Sequence, residues 1–449
     1  SLGALLERKV TRRVFAAMEA CANCGMCAEA CHYYVSTGKP ETIPAYKALL
    51  FREIWLRHRN LLGFRRRNDL SALDKPTLDR LVDAVYGNCT GCRRCGMFCP
   101  MGIDIGGLIG AGRAVVAHQG AVPKGLQDTV DIHVRSGNNM GITREDYLET
   151  LEWLQDELRA DLGDPDARIP IDKADARVAY TFNPKEPKFY PLFVLAAARI
   201  FHVAGEDWTA LSEGWDGTNY ALFTNDDPTA ALLARRQAEK VEGLNIPTLV
   251  STECGHGFRA IKHEAIRWLD RPLRYTVKSF LEVILEYLND GRIRLDPTRN
   301  RAPVTYHDPC NLVRNGGVVE EPRQLLRRTV LNLVEMQPNR EQNWCCGGGG
   351  GMLSITEFAK RRIDAARKKA EQIKATGAKI VATSCHNCLD QLQEINKHYR
   401  LGVEVKLLVE LVNNALVVEP RYVGGLDHRS SEVHHAARCQ PDQDEKHHV

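Results

Sequence analysis

The sequence predicts a protein of mixed class, α+β and α/β, with a helical N-terminal domain followed by two repeated α/β lobes. Eight cysteines fall into two sets of identical spacing within the first hundred residues. Further on, a charged helical segment, a short turn and an apolar segment ending in cysteine occur twice, at residues 233–254 and 366–385. Apolar segments of strand length, residues 178–182 and 304–307, precede the two copies. This alternation favours two lobes with largely parallel sheets.

Both N-terminal sets have the spacing C-x2-C-x2-C-x3-C, which suits iron–sulfur ligation. Three closely spaced thiolates can bind three corners of one cubane, while the fourth, one turn further on, points to a neighbouring cluster. We therefore predict two cubane [4Fe–4S] clusters, with the ligand sets Cys21, Cys24, Cys27, Cys99 and Cys89, Cys92, Cys95, Cys31. Pro100 follows the second set, as in ferredoxins, whereas His32 follows the first. Disulfides or zinc are the alternatives, but zinc sites use pairs of cysteines rather than interlocking quartets.

Composition and charge narrow the function class. Fifteen cysteines without a recognisable secretory leader are typical of a reducing compartment, so we expect the cytoplasm or the cytoplasmic side of a membrane. A formal net charge of +3 over 449 residues gives no reason to expect nucleic acid as a partner. The most apolar stretch, residues 189–200, is short and contains Arg199, so no transmembrane helix is expected.

We expect five segments. Residues 1–110 carry the two cysteine quartets, and within them residues 45–59 have helical apolar spacing and are expected to cover the clusters. Residues 111–175 form a helical connector, residues 176–300 the first lobe, residues 301–425 the second lobe and residues 426–449 a polar tail. The tail contains Cys439, which we interpret as a free thiol.

The second lobe has a different cysteine pattern, made by Cys310, Cys345, Cys346, Cys385 and Cys388. Ligands of parallel α/β sheets bind beyond the carboxyl ends of strands, where the first and fourth of these cysteines are expected. Residues 347–351 are all glycine, and we expect cofactor contacts from Gly347, Gly348 and Gly349. Their backbone can approach a bulky inorganic group and donate amides to its sulfurs. Structural cysteines beside a flexible loop are the alternative, but five gathered at strand ends make poor core.

This pattern resembles the CCG motif of heterodisulfide-reductase-type proteins, and the domain order is similar to the HdrD/DsrK family over about residues 15–415. The resemblance implies that the five cysteines bind a noncubane [4Fe–4S] cluster that cleaves a sulfur–sulfur bond. The first lobe departs from the family pattern: Pro184, Trp215 and Asp216 stand near expected cysteine positions, and Cys254 alone remains. One complete motif fits the DsrK branch better than HdrD.

The resemblance also implies partners and a location. A relative of this kind relays single electrons through two cubanes and reduces or forms a disulfide or trisulfide of a DsrC-like sulfur carrier protein. It lies peripherally on the cytoplasmic side of a respiratory complex with a membrane cytochrome b, quinone-reactive subunit. His307 and His386, beside the motif cysteines, are expected to donate a proton to the leaving thiolate or a hydrogen bond to cluster sulfur. We interpret His256, near Cys254, as packed or substrate-lining rather than as a metal ligand.

Two other functions stay open. Iron–sulfur subunits of anaerobic glycerol-3-phosphate or lactate oxidation also resemble this chain, and they pass electrons from a flavoprotein to quinone. In a non-enzymatic alternative, the second lobe is only a third relay or a docking module. The complete set of five ligands favours S–S chemistry over docking. No flavin or dinucleotide glycine fingerprint follows a strand, so any flavin would lie on another chain.

Overall fold

Helices surround two small parallel sheets in the computed structural model, which describes residues 1–59 and 72–418. The mixed fold class is therefore confirmed, and Ser1–Val417 form one compact unit. The division into five segments remains a prediction, and the expected polar tail with Cys439 lies outside the described residues. Within the described ranges, no helix is long and apolar enough to span a bilayer.

The N-terminal region is built from short helices around its cysteine-bearing turns. The segment predicted to cover the clusters forms a helix that packs on the last helix of this region and buries Leu50, Ile54 and Trp55. A π-helical turn, Asp83–Gly87, precedes the second cysteine set. The helices are α1 (Leu2–Lys9), α2 (Arg12–Glu19), α3 (Met26–Glu29), α4 (His32–Thr37), α5 (Pro44–Arg59), α6 (Lys75–Val82), α7 (Arg94–Met97) and α8 (Ile105–His118).

The predicted connector is helical, with α9 (Lys124–Ser136) and α10 (Arg144–Leu162). The Thr143 hydroxyl accepts a hydrogen bond from the backbone N–H of Asp146 and so caps the start of α10. Leu151 and Leu154 of α10 are buried, whereas Leu148 is half-buried.

The first lobe has a four-stranded sheet with the order β2-β1-β3-β4. Its strands are β1 (Val178–Thr181), β2 (Trp208–Ala210), β3 (Thr248–Ser251) and β4 (Thr276–Ser279), and neighbouring strands pair in parallel. The first strand ends at Thr181, one residue before the predicted end. The helices are α11 (Lys185–Phe189), α12 (Pro191–Val203), α13 (Ala221–Thr224), α14 (Asp227–Gly243), α15 (Gly255–Arg259), α16 (Ala265–Leu269) and α17 (Phe280–Asn289).

The second lobe repeats this plan with a three-stranded parallel sheet in the order β5-β6-β7. Its strands are β5 (Val304–His307), β6 (Ile380–Thr383) and β7 (Glu404–Leu407). The central pairing sets Val304 opposite Ile380, so that both strands end at the same edge, where the motif cysteines follow. The helices are α18 (Glu321–Thr329), α19 (Ala359–Ala365), α20 (Arg367–Thr376), α21 (His386–Tyr399) and α22 (Leu408–Ala415).

Buried arginines join these regions through backbone carbonyls. Arg113 of α8 donates to the carbonyls of Val85, Cys89, Phe223 and Gly350 at 2.6–2.9 Å, and thereby contacts the N-terminal region and both lobes. This single side chain therefore donates to four acceptors at once.

Two further arginines act in the same way between the N-terminal region and the second lobe. Arg94 donates to the carbonyls of Ala30 and Gln342, each at 2.9 Å. Arg314 donates to the carbonyl of Cys92 at 2.7 Å and to that of Asn343 at 2.7 Å. The position of the second lobe relative to the N-terminal cysteines is thus fixed by guanidinium groups.

Replacing Arg113 by Met should destabilise the protein by about 3–5 kcal/mol, because several buried carbonyls lose their donor at about 1–3 kcal/mol each. Thermal unfolding of the holoprotein measures this as a lower midpoint. The control is Arg52→Met, which removes an exposed pair with Glu19 and should cost less than about 1 kcal/mol. Equal midpoints for the two variants would contradict the role given to Arg113.

Candidate iron–sulfur and redox sites

Four cysteines of the N-terminal region line a cavity that we call site 1: Cys21, Cys24, Cys27 and Cys99. Ala45 of α5 and Ile105 of α8 complete its walls. Gly25 adopts the left-handed conformation (φ 78°) just before α3 and turns the chain between the second and third cysteines. Cys24 is exposed whereas Cys27 is buried, so site 1 opens to solvent on one side.

The other four N-terminal cysteines line a second cavity, site 2: Cys31, Cys89, Cys92 and Cys95. The last cysteine of each set therefore lies with the first three of the other set: Cys99 is in site 1 and Cys31 is in site 2. The spacing predicts this exchange. The Gly91 amide donates to Cys89 Sγ at 3.3 Å, and Lys47 Nζ lies 3.9 Å from Cys31 Sγ. Burial raises the pKa of the Cys95 thiol well above its ordinary value, so ionised sulfurs gathered here require cations. Both sites fit a [4Fe–4S] cluster.

The five cysteines of the second lobe converge on a third location, site 3. Cys310 follows β5, Cys385 follows β6, Cys388 lies in the first turn of α21, and the other two precede the glycine run. All five are buried. Cys346 Sγ lies 3.5 Å from Cys388 Sγ, and the cavity between them is lined by four of the five cysteines and by Gly349.

The glycine run wraps closely around site 3. The amides of Gly347 and Gly348 donate to the Sγ atoms of Cys345 and Cys346 at 3.3 and 3.4 Å. A Cβ at Gly350 (φ +69°) would lie 2.5 Å from the Thr90 carbonyl oxygen, so a larger residue cannot stand there. Buried thiols with amide donors to sulfur are the environment that iron–sulfur clusters need.

Cys345 lies between site 3 and site 2. Its Sγ is 3.4 Å from the Thr90 hydroxyl of site 2, and the neighbouring Cys345 sulfur raises the pKa of Cys310 of site 3. The ligand atoms of His32, Cys92 and Cys345 all lie within 4.8 Å of one another. Because Cys92 belongs to site 2, the two sites share a wall of sulfur atoms, which sequence spacing alone does not predict.

Two family models match the chain. The 4Fe-4S dicluster domain covers residues 17–103, which hold the cysteines of sites 1 and 2. The cysteine-rich domain, CCG, covers residues 304–393, which hold the cysteines of site 3.

Similar proteins carry both regions in the same order. The Hdr-like menaquinol oxidoreductase iron-sulfur subunit of Archaeoglobus profundus is 27% identical over 462 residues, covering 92% of this chain and 81% of the relative. A component of the dihydromethanophenazine:CoB–CoM heterodisulfide reductase of Methanosarcina mazei is 27% identical over 411 residues, covering 90% and 95%. These similarities are consistent with an HdrD/DsrK-type family. It is an iron–sulfur electron-transfer oxidoreductase.

A relative of lower sequence identity is named for EtfAB and quinone. The EtfAB:quinone oxidoreductase of Syntrophomonas wolfei is 24% identical over 323 residues, which cover 68% of this chain but 43% of that relative.

In the first lobe, the residues near the expected cysteine positions make packing and backbone contacts instead. Trp215 stacks on Tyr147 with ring centroids 4.2 Å apart, and Asp216 accepts hydrogen bonds from two backbone amides at 2.7 and 2.8 Å. A Cβ at Gly257 would lie 2.1 Å from the carbonyl oxygen of Gly217. In the first lobe two backbone segments are thus in direct contact, whereas in the second lobe the side chains of Cys346 and Cys388 face each other.

The two predicted histidines lie in different surroundings. A ring nitrogen of His307 lies within 4.8 Å of the sulfurs of Cys346 and Cys388. Burial lowers the pKa of His307 well below its ordinary value, so the ring is neutral. His386 Nε2 instead bonds Glu186 Oε1 of the first lobe at 2.5 Å.

The first lobe still contributes to the wall of site 3. The His256 ring lines the cavity, and its Nδ1 lies 3.3 Å from Cys254 Sγ. Burial favours the neutral ring, but the sulfurs of Cys254 and Cys385 raise the pKa of His256 to about 10. Asn387 and Phe223 line the same cavity. Sequence analysis gave Asn387 no role, because its position between two motif cysteines carries no signal of its own.

Double substitutions can test the exchange of fourth cysteines. Loss of one cubane removes about four irons. Cys24→Ala combined with Cys99→Ala should remove about four irons in total, because both residues belong to site 1. Cys24→Ala combined with Cys31→Ala should remove about eight, although both residues lie in the first set. Iron and sulfide analysis of the purified proteins measures this, and the reverse order of losses would contradict the assignment.

Proposed function

We propose that the chain is an S–S bond oxidoreductase, relaying single electrons through two cubanes at sites 1 and 2 to a noncubane [4Fe–4S] cluster at site 3. The observation that carries the proposal is the convergence of five buried cysteines, four of which line one cavity, next to the wall of site 2. A docking module or a simple relay needs neither five thiols nor a cavity at the far end of the chain of sites.

The chemistry of the reaction requires such an arrangement. Cleaving a disulfide consumes two electrons and two protons and leaves two thiols, whereas a quinol or haem chain supplies electrons one at a time. A noncubane cluster bound by Cys310, Cys345, Cys346, Cys385 and Cys388 would supply one-electron chemistry and iron sites for sulfur. The Gly347 and Gly348 amides would stabilise the ligating sulfurs, and Gly349 leaves space beside them.

Neutral His307 is the better placed of the two predicted histidines. It lies beside the site 3 sulfurs and carries one N–H, so we assign it as a hydrogen-bond donor toward sulfur in site 3. His386 shares Glu186 Oε1 with the Thr252 hydroxyl, and it supports the wall behind Cys385.

The sites differ in solvent exposure, which indicates the end of the relay at which a partner protein can exchange electrons. Site 1 has the exposed Cys24, while all site 3 cysteines are buried. Large apolar residues are exposed within the segments that form site 1 or just before them: Phe15 (41%), Met26 (51%), Met97 (47%) and Met101 (58%). An exposed apolar rim around a redox site is expected to contact a partner that exchanges electrons there.

We assign this rim to a membrane subunit, a cytochrome b that reacts with quinone, within a respiratory complex. The Archaeoglobus relative is named as a subunit of a menaquinol oxidoreductase, which supports the assignment. The chain would then lie peripherally on the cytoplasmic side of the membrane. A DsrC-like sulfur carrier protein, with a cysteine-bearing arm that reaches site 3, is the substrate that we propose.

The flavin-linked function remains the second candidate. The EtfAB:quinone oxidoreductase relative favours it, although this chain covers less than half of that protein. In that case a flavoprotein would deliver electrons, and site 3 would pass them on without breaking an S–S bond.

The holoprotein should contain about twelve irons and should be reoxidised by a DsrC-like trisulfide or by a small heterodisulfide. Cys388→Ser should lower S–S reductase activity at least ~100-fold, because a site 3 ligand is lost while sites 1 and 2 remain reducible. Thiol release and cluster absorbance measure both effects. Cys254→Ser is the control and should reduce turnover less, since its lobe holds no cluster ligands. Rapid exchange with a flavoprotein, with no response to either S–S substrate, would instead favour the second candidate.

The role of the rim can be tested with Met101→Glu. A carboxylate in an apolar contact should slow reduction by the membrane partner ~10-fold or more, because the charge must be desolvated. Reduction by dithionite should stay unchanged, since a small donor needs no docking surface. The control is Leu331→Glu, at a residue that is 55% exposed far along the chain in the second lobe. If reduction by the membrane partner slows equally in both variants, the exposed apolar residues around site 1 are not the contact surface for that partner.

A further inference from the structure

Asn387 is the second residue of α21 and lies between Cys385 and Cys388 in sequence. Its side chain is 2% exposed and lines the site 3 cavity. It is the counterpart of His256 in the first lobe, because each stands two residues after the cysteine that follows the repeated strand. The cavity therefore has a polar residue from each lobe in its wall.

The contacts of Asn387 fix which way its amide faces. Its Oδ1 accepts hydrogen bonds from Lys185 Nζ and from the Tyr220 hydroxyl, each at 3.3 Å. A lysine ammonium only donates, so the atom that faces Lys185 must be the amide oxygen. The Nδ2 group consequently faces the other way, and in the part of the chain that the structure describes it has no hydrogen-bond partner.

The anchors are themselves held in place. Lys185 forms an ion pair with Asp390, which also accepts a hydrogen bond from the Tyr190 hydroxyl at 3.1 Å. Tyr220 is buried and meets the edge of the His256 ring, with centroids 4.9 Å apart. Lys185 and Tyr220 both belong to the first lobe. The first lobe, which lacks cluster ligands, thus positions the Asn387 amide of the second lobe.

We infer that Asn387 Nδ2 donates a hydrogen bond to an anionic sulfur in the site 3 cavity, with Lys185 and Tyr220 as positioning residues. The inference rests on the proposed function. A buried amide donor without a partner is costly, so a ligand is expected to accept its hydrogen bond. Four cysteines are among the residues that line the cavity, and sulfide of a bound cluster or a thiolate of the substrate has the required chemistry.

The two sources of sulfur predict different readouts for Asn387→Ala in the holoprotein. If the acceptor is cluster sulfide, the reduction potential of the site 3 signal falls without any substrate present, because a donor to sulfur has been lost. If the acceptor is a substrate thiolate, that potential is unchanged, but kcat for S–S cleavage falls roughly 10- to 100-fold with little change in KM. Charge on sulfur develops during cleavage, so the loss appears in kcat.

Asn387→Asp sharpens the test, because it replaces the donor by an anionic oxygen of the same size. The effect on either readout should exceed that of Asn387→Ala. Tyr220→Phe and Lys185→Met each remove one anchor and should shift the same readout less. Lys188→Met is the matched control, since Lys188 lies on the same helix but donates to the Met140 carbonyl at the surface.

Iron content and the spectra of sites 1 and 2 establish that each variant is loaded and folded. If Asn387→Ala loses iron, Tyr220→Phe and Lys185→Met test the inference instead, through the site 3 reduction potential and kcat. An unchanged potential together with unchanged kcat in loaded Asn387 and anchor variants would overturn the inference. Should the wild-type protein reduce no S–S substrate, the proposed function fails, but the substrate-free potential still decides whether Asn387 donates to cluster sulfur.

Discussion

The arrangement of the three sites depends on buried and half-buried guanidinium groups that bind backbone carbonyls. Arg113 contacts the N-terminal region and both lobes, and Arg94 and Arg314 join the N-terminal region to the loops of the second lobe. Electron transfer between sites depends steeply on distance, whereas apolar packing alone tolerates small slips. Directional hydrogen bonds to carbonyls fix position more tightly, and arginine with its five donors can bind several chain segments at once. The contact between Cys92 and Cys345 follows from this restraint.

The two lobes share an α/β architecture, but only the second carries the five motif cysteines. In the second lobe, cysteines follow the strands and leave a cavity that suits an inorganic group. In the first, Trp215 stacks on an aromatic ring, and the backbones at Gly217 and Gly257 are in close contact. The first lobe retains a structural contribution to the shared site through Lys185 and Tyr220. A lobe that has lost its ligands can therefore remain necessary, because it forms one wall of its neighbour's cavity.

Much of the fold could be predicted from local sequence. The apolar segments at 178–182 and 304–307, and the strands of the repeats, became β1, β5, β3 and β6, because such buried parallel strands read as short apolar runs. The edge strands β2, β4 and β7 have three or four residues and were not identified. The grouping of the cysteines followed from spacing. The contacts of Asn387 could not be predicted, since Lys185 is 202 residues away and tertiary packing brings them together.

The exchange of Cys31 and Cys99 between sites 1 and 2 has a consequence for biogenesis. Neither ligand set is complete within one continuous short segment, so neither cubane can be fully bound while only the first cysteine set has left the ribosome. The chain must be made to Cys95 before site 2 has its four thiolates, and to Cys99 before site 1 has them. Maturation of the two clusters is thereby coupled, and a protein halted after the first set would hold at most a three-thiolate, labile cluster.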